Sequence, residues 1–137
     1  MAGINDASEI TRALRTAKTI AVVGCSPNES RPSNAIARYL LRAGFDVIPV
    51  NPGHREMLDR PCYPDLASIP KDVRVDIVDV FRRSEFVPEI ASAALARGAG
   101  FFWMQDGVVD EEAARRLTAA GIPVAMDRCI FRDHSAL

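Results

Sequence analysis

Residues 19–33 read TIAVVGCSPNESRPS, and this stretch decides the fold. Its first five residues are largely apolar and mostly β-branched, which is typical of a strand buried on both faces. A polar turn then begins at Gly24 and leads into a helix that starts at Pro32. This order of buried strand, polar turn and helix predicts the first half of a βαβ unit.

The same pattern recurs along the chain. The five predicted strands are Thr19–Gly24, Asp46–Val50, Asp76–Phe81, Gly100–Met104 and Pro123–Met126. Helical or turn-rich stretches separate them, so we expect the strands to pair in parallel. Because parallel crossovers are right-handed, we predict a doubly wound α/β sheet in the order 3-2-1-4-5 with helices on both faces. Its ligand crevice should lie at the carboxyl ends of the strands, where the order reverses.

Apolar spacing and terminal residues also predict the helices. They are Ala7–Thr16 with Asp6 as its N-cap, Pro32–Ala43, a third that begins at Ser84 as N-cap and ends at Gly98, and a fourth from Asp110 to Gly121. Pro88 is compatible only with the start of the third helix. The crossover Asn51–Arg74 contains four prolines, so we expect it to be broken and partly looped.

Composition excludes several classes of protein. The chain has 137 residues with 17 basic and 18 acidic side chains, a net charge of −1, so no overall positive field attracts nucleic acid or anionic lipid. No apolar run reaches the roughly 18 residues that cross a bilayer, and Met1–Lys18 lacks the pattern of a secretory signal. We therefore expect one cytoplasmic domain, residues 1–137. Cys25, Cys62 and Cys129 match neither a disulfide framework nor a zinc site, so we expect reduced thiols and no metal.

The turn after the first strand predicts an anion site. A helix N-terminus presents free N–H groups and a partial positive charge, which suits a phosphate. Gly24 permits a close approach between the backbone and a ligand, Ser26 and Ser33 offer hydroxyl groups, and Arg31 supplies a full positive charge. The alternative is an ordinary helix start in which a serine caps and Arg31 is solvated.

The second strand argues against the usual NAD site. The G-x-G-x-x-G fingerprint is absent, and Asn51-Pro52 stands where an NAD site normally has an acidic residue for the ribose. His54, Arg55 and Arg60 follow, a setting that suits an additional phosphate better than a free diol. Each of these three side chains is equally compatible with a solvated loop.

Several motifs together carry a family resemblance. They are Val23-Gly24-Cys25-Ser26 with Arg31-Pro32-Ser33, Tyr39-Leu40, Val47 to Pro52, Cys62-Tyr63, Val78 to Arg82, Trp103-Met104-Gln105 with Gly107, and Met126-Asp127-Arg128-Cys129 with His134 and Leu137. In order and spacing, over nearly the whole chain, they resemble the small CoA-binding Rossmann-domain family of stand-alone bacterial proteins, related to the CoA-binding domain of succinyl-CoA ligase alpha subunits. Asp59 departs from the pattern where the family has glycine, and Asp tolerates positive φ better than most residues.

The resemblance implies coenzyme A as the cofactor. It implies that Gly24, Ser26, Arg31 and Ser33 hold the phosphates, with Asn51, Pro52 and the Phe81-Arg82 turn toward the adenosine side. We add Cys25 and His54, which lie beside these residues in sequence, to the predicted cofactor-binding set. It also implies that Gln105 and Gly107 meet the pantetheine arm. For Trp103, within an apolar strand, core packing is the better interpretation.

Catalytic chemistry has no clear carrier in the sequence. His54 and His134 are the only histidines, and no triad, metal-spaced cluster or paired-carboxylate motif stands out. Cys25 and Cys129 fit small buried hydrophobes, although Cys25 could be activated beside Arg31 and Cys129 could act in redox chemistry beside a thiol-bearing ligand. We therefore expect a non-catalytic CoA-binding protein with no indicated partner protein. An NAD(H)-binding redox sensor and an enzyme acting on a CoA thioester remain the alternatives.

Overall fold

The computed structural model describes residues 2–137. Among them are seven strands: β1 (Thr19–Val23), β2 (Asp46–Val50), β3 (Glu56–Met57), β4 (Arg60–Pro61), β5 (Ile77–Val80), β6 (Phe102–Met104) and β7 (Val124–Ala125). Five α-helices accompany them: α1 (Ala7–Thr16), α2 (Pro32–Arg42), α3 (Val87–Arg97), α4 (Glu111–Ala119) and α5 (Ile130–Ser135). Two 3-10 turns cover Leu66–Ser68 and Ser84–Phe86.

Five strands form one parallel sheet in the order β2-β1-β5-β6-β7. Ile20 of β1 aligns with Val47 of β2 on one side and with Ile77 of β5 on the other. All four strand pairs in this sheet are parallel. The predicted fold class, a five-stranded doubly wound α/β sheet, is therefore confirmed.

The predicted strand order is wrong in one placement. Numbered along the chain, the five strands lie in the order 2-1-3-4-5 rather than 3-2-1-4-5, because the third one (β5) pairs with β1 instead of lying outside β2. Pro49 gives the physical reason. Its carbonyl points away from β1 and accepts from Tyr63 N at 3.2 Å, so its missing N–H would point outward too. A strand with this defect belongs at an edge. The order still reverses at β1, and the crevice lies at the carboxyl ends of β1 and β5.

The sheet is covered on both faces by different helices. α1, α2 and α5 pack over the face that carries Ile20 and Trp103. α3 and α4 pack over the face that carries Val80 and Phe102. Trp103 is fully buried, and its Nε1 donates to the carbonyl of Arg128 at 2.9 Å, so its predicted core role is confirmed.

Three helix ends confirm the predicted capping. Asp6 accepts a hydrogen bond from Glu9 N at 2.9 Å where α1 begins. Asp110 accepts from Ala113 N at 2.9 Å where α4 begins. Gly98 closes α3 in the left-handed conformation, with φ of 68°. Local chemistry alone determines each of these ends.

The predicted start of the third helix is wrong. Ser84 opens a 3-10 turn, and the α-helix begins at Val87 with Pro88 in its first turn. The Ser84 hydroxyl instead accepts a hydrogen bond from Val109 N at 2.9 Å. A partner distant in sequence thus takes the oxygen that would have capped a helix.

Residues 51–74 form the broken crossover that the prolines predicted. β3 and β4 make a short antiparallel hairpin, and its two turn residues, Leu58 and Asp59, have φ of 56° and 58°. Asp59 therefore adopts the left-handed conformation that a glycine would favour.

Arg97 of α3 fastens the remainder of this crossover. Its guanidinium donates to four carbonyl oxygens at 2.8 to 3.0 Å, those of Leu66, Ile69, Pro70 and Val73. One side chain therefore holds the 3-10 turn and the segment after it against α3.

Short segments cover both edges of the sheet. Beyond β7, Gly3 O accepts from Val124 N at 3.1 Å, and Asn5 N donates to Val124 O at 2.8 Å. Beyond β2, Tyr63 forms an isolated bridge with Val50.

α5, which the sequence did not predict, has Ile130 as its one buried residue and packs on α2. Within residues 2–137, none of the helices has both the length and the apolar character of a membrane span.

Candidate functional site

Two clefts open at the carboxyl ends of the central strands, one toward each face of the sheet. The Gly24 cleft, about 310 Å³, faces α3; the residues around it include Gly24, Pro52, Asp65, Leu66, Arg82 and Glu89. The Gln105 cleft, about 360 Å³, faces α2; the residues around it include Pro32, Ile36, Phe81, Gln105, Val108 and Cys129. Phe81 and Arg82 are neighbours in sequence and therefore reach opposite clefts.

A larger cleft, about 580 Å³, lies at the other end of the sheet, between α1 and the amino ends of β5, β6 and β7. The carboxylate of Asp76 borders this cleft, but it already accepts hydrogen bonds from Lys18 N and Thr19 N and forms an ion pair with Arg74. Doubly wound sheets bind ligands at the carboxyl ends of their strands. We therefore assign the candidate site to the two smaller clefts.

Gly24 brings the turn after β1 against the turn after β5. It has φ of 86°, and a Cβ built on it would lie 3.0 Å from Phe81 O and 3.0 Å from Cδ of Arg82. A side chain there would be strained by conformation and by contact. In the structure Gly24 allows close approach of the Phe81 carbonyl and the Arg82 side chain. The predicted approach of a ligand to Gly24 stays a prediction.

Hydrogen bonds within the turn hold its shape. Ser33 is buried, and its Oγ accepts from Ser26 N at 2.9 Å. Ser26 Oγ accepts from Asn28 N at 3.1 Å, and Asn34 Nδ2 donates to Ser26 O at 2.9 Å. The two predicted serines thus act first as acceptors that fix the turn, and each hydroxyl hydrogen remains to be donated.

Asn51 joins this turn to the one after β2. Its Nδ2 donates to Cys25 O at 2.9 Å, and its Oδ1 accepts from Gly53 N at 2.8 Å. Cys25 itself is fully buried, and burial raises the pKa of its thiol to about 12. The activated thiol considered for Cys25 is therefore wrong, and the residue is a buried hydrophobe.

The start of α2 offers one free backbone donor and one free charge. Pro32 has no N–H, and Asn34 N and Ala35 N both donate to Arg31 O at 3.1 Å. The N–H of Ser33 is left without a protein acceptor within residues 2–137. Arg31 is exposed, and its guanidinium has no hydrogen bond or ion pair with any of those residues.

Arg82 provides a second positive charge at the Gly24 cleft. It is half-buried, and its guanidinium carbon lies 4.1 Å from the ring centre of Phe86. Stacking on the aromatic face orients the guanidinium without neutralising it. The cleft also carries the carboxylates of Asp65 and Glu89, so its charge is mixed.

Gln105 places a polar group in a mostly apolar cleft, which Asp106, paired with Arg132, also borders. Only 5% of the residue is exposed, and its Oε1 accepts from Ile130 N at 3.0 Å, which fixes the start of α5. Its Nε2 has no protein acceptor in the described chain. Phe81 and Val108 supply apolar walls, and Cys129 borders the same cleft.

Seven predicted site residues line neither cleft. Five of them, Cys25, Ser26, Arg31, Ser33 and Asn51, form or hold the turn after β1, and His54 and Gly107 lie in other loops. His54 is exposed in the loop after β2, where its N–H donates to Asn51 O at 3.4 Å. Gly107 is exposed, and its N–H donates to Asp127 Oδ1 at 2.7 Å. Arg60, considered as a phosphate partner, pairs with Asp46 at the amino end of β2 instead.

The sequence did not point to several residues that line the clefts. Asp65, Leu66 and Glu89 border the Gly24 cleft, and Ile36 and Val108 border the Gln105 cleft. The position of Glu89 could have been predicted from the sequence, because the first turn of the helix after β5 must lie beside the crevice. The others depend on how the crossover and α2 pack.

Asp79 is a buried carboxyl that belongs to neither cleft. It lies on the same face of β5 as Phe81, is fully buried, and has no hydrogen-bond partner within residues 2–137. Burial raises its pKa well above the ordinary value. Burial therefore favours the neutral form of Asp79 over the charged form.

Proteins of similar sequence and structure are known. The profile of a family described as a CoA binding domain matches residues 18–135. The uncharacterized protein YneT of Bacillus subtilis (strain 168) is 41% identical over 128 residues, 93% of each chain. The solved structure of a hypothetical protein from Pyrococcus horikoshii OT3 covers 96% of this chain and 92% of its own, with 36% identity and a TM-score of 0.91.

Larger enzymes contain a similar segment. Acetate–CoA ligase [ADP-forming] I of Archaeoglobus fulgidus is 41% identical over 63 residues, which are 46% of this chain and 9% of the ligase. The dinucleotide-forming acetyl-coenzyme A synthetase 1 of Ca. Korarchaeum cryptofilum covers 78% of this chain and 25% of its own, with 28% identity and a TM-score of 0.68. This chain corresponds to a minor part of each enzyme.

Proposed function

Since the chain belongs to the CoA binding domain family, we propose that it binds coenzyme A or an acyl-CoA at the two clefts and performs no catalysis of its own. The observation that carries the proposal is the family match over residues 18–135, a range that contains both clefts. The position of the clefts supports it, because phosphate-bearing ligands bind doubly wound sheets where the strand order reverses.

We assign the phosphates to the turn after β1. Gly24 leaves room for the backbone, and the hydroxyl of Ser26 and the free N–H of Ser33 are donors. Arg31 brings an unpaired positive charge, so a phosphate there would gain a charge-assisted hydrogen bond.

We assign the two ends of the ligand to the two clefts. Pro52 and Arg82 at the Gly24 cleft suit the adenosine side, and Asn51 holds the turn behind them. The apolar walls and free amide nitrogen of Gln105 suit the pantetheine arm, which is apolar between its amide groups. In this proposal His54 reaches the 3′-phosphate and Gly107 lies along the arm.

The chemistry of the site supports binding without catalysis. Cys25 is buried with a raised pKa, so it is a poor nucleophile. His134 donates to or accepts from Tyr39 Oη at 2.7 Å in an aromatic cluster with Phe45, and His54 lies off both clefts. General acid–base catalysis needs a titrating group within reach of the reacting bond, and neither histidine lines the Gln105 cleft, to which we assign the pantetheine arm.

The discriminating experiment compares thermal shifts with CoA, dephospho-CoA and NAD at equal concentration. A ligand that binds only the folded protein stabilises it by about 2.7 kcal/mol at a hundred times its Kd. We expect the largest shift with CoA, a smaller one with dephospho-CoA, and the smallest with NAD, which finds Asn51 where an acidic ribose partner would be needed. A shift with NAD and none with CoA would refute the proposal.

The non-catalytic part needs its own measurement. Acetyl-CoA or succinyl-CoA incubated with the protein should keep its thioester bond at the rate seen in buffer. Hydrolysis or acyl transfer above that rate, lost in Cys129→Ser, would establish an enzyme instead.

A further inference from the structure

Cys129 differs from the other two cysteines in its surroundings. It borders the Gln105 cleft with Phe81 and Val108, and 7% of its surface is exposed. Cys62 has the same exposed fraction, 7%, but lines neither the Gly24 nor the Gln105 cleft. Cys25 is fully buried. The chain therefore offers one cysteine at the cleft and one cysteine of equal residue exposure away from it.

Gln105 is a second feature of this cleft that suits a ligand. Only 5% of the residue is exposed, and its amide oxygen accepts a hydrogen bond from Ile130 N. Its amide nitrogen meets no protein acceptor in the described chain. The nitrogen is not itself fully buried, so it is accessible from the cleft and can donate to an acceptor on a bound molecule. An amide carbonyl of a pantetheine arm is such an acceptor, and on that arm the amide lies next to the thiol.

We propose that Cys129 forms a mixed disulfide with the thiol end of CoA in the Gln105 cleft. The proposal rests on the proposed function and adds a covalent, reversible state to it. The co-reactant is the symmetrical disulfide of CoA.

The exchange balances without any further oxidant. The Cys129 thiolate attacks one sulfur of CoA disulfide, so the Cys129–S–S–CoA bond forms as the CoA–S–S–CoA bond breaks. The second CoA leaves as a thiolate and takes up the proton that Cys129 released. The Cys129 sulfur is oxidised, and the sulfur of the departing CoA is reduced.

Selectivity follows from binding. The thiol of a residue that is only 7% exposed reacts slowly with a disulfide that meets it by random collision. A disulfide held by its nucleotide end presents its sulfur at a high effective concentration, so at micromolar reagent we expect a rate advantage of at least about tenfold.

The test is intact-mass spectrometry of the full chain. We would compare CoA disulfide with cystamine, a disulfide that lacks the nucleotide, and locate the adduct by peptide mapping. CoA disulfide should modify Cys129 at least about tenfold faster than cystamine, should leave Cys62 without such a preference, and should be blocked by desulfo-CoA. The adduct should disappear in Cys129→Ser and persist in Cys62→Ser.

The outcomes separate this inference from the proposed function. If CoA raises the melting temperature of the wild-type chain and Cys129 is unmodified, or is modified no faster than Cys62, the mixed disulfide is wrong and CoA binding stands. If CoA causes no thermal shift and both disulfides react alike, CoA binding itself fails.

Discussion

Replacing Gly24 by alanine tests whether the site depends on the close approach of its two turns. The added Cβ would meet Phe81 O and Cδ of Arg82, both at 3.0 Å. The carbonyl is backbone and cannot swing aside, so Arg82 and the turn after β5 must shift. We therefore expect Gly24→Ala to lose both stability and affinity for CoA.

Gly121 supplies a matched control for the magnitude. Its φ of 89° is close to the 86° of Gly24, but a Cβ there would meet nothing within 4 Å. A left-handed alanine costs roughly 1–2 kcal/mol at either position. Gly24→Ala adds the strain of overpacking, roughly 1–3 kcal/mol. The free energy of unfolding should therefore fall by roughly 2–5 kcal/mol in Gly24→Ala and by roughly 1–2 kcal/mol in Gly121→Ala.

Urea unfolding and calorimetric titration with CoA would measure the two effects on both variants. The change in unfolded-state entropy from glycine to alanine is common to both and cancels in the comparison. Equal losses of stability would show that the 3.0 Å contacts carry no strain. Equal affinities for CoA would show that the position of Arg82 does not matter to binding.

Three further substitutions test other parts of the structure. Arg31→Ala should weaken CoA binding by roughly ten- to a hundredfold, because it removes a charge-assisted contact of about 1.5–3 kcal/mol; unchanged calorimetric affinity would make Arg31 an ordinary solvated residue. Arg97→Ala should lower the free energy of unfolding by about 2–4 kcal/mol, because it leaves several carbonyl oxygens without a donor. Arg97→Lys should lose less, because lysine can donate to some of them. An Arg97→Ala variant as stable as wild type in urea would contradict this. Burial raises the pKa of Asp79 above its ordinary 3.8, so the folded chain keeps a proton that the unfolded chain releases, and wild-type stability falls as pH rises above 3.8. Asp79→Asn has no carboxyl group at this position, so its free energy of unfolding should rise relative to that of wild type as the pH increases. If urea unfolding gives the same pH dependence for both proteins, the assignment is refuted.

The elements predicted correctly are those with local signals. The β1–turn–α2 unit combines a β-branched run, a glycine with positive φ and a helix that begins at a proline, and each of these acts within a few residues. The caps at Asp6 and Asp110 are equally local. The convergence of Gly24 with Arg82, and of Phe81 with Gln105, also followed from sequence, because parallel strands end at one edge.

The predictions that the structure corrects concern features determined by a residue distant in sequence. Ser84 gives its hydroxyl to Val109 rather than to a helix. The strand order depends on which side of β1 the third strand takes, and the only sequence signal was Pro49, which required an edge position for β2. α5 buries one residue, Ile130, which is too little to give a periodic pattern. The roles of the site residues in binding stay predictions.

The pairing of residues 3–5 with β7 affects how the protein behaves in concentrated solution. With that segment in place and Tyr63 on the opposite side, neither outer strand offers a long row of free N–H and C=O groups to another molecule. If the first few residues detach, β7 becomes a short unprotected template for strand addition between molecules. A bulky affinity tag fused directly before Gly3 would favour detachment and so promote self-association, whereas a tag after Leu137, which is exposed beyond α5, would leave both margins of the sheet protected.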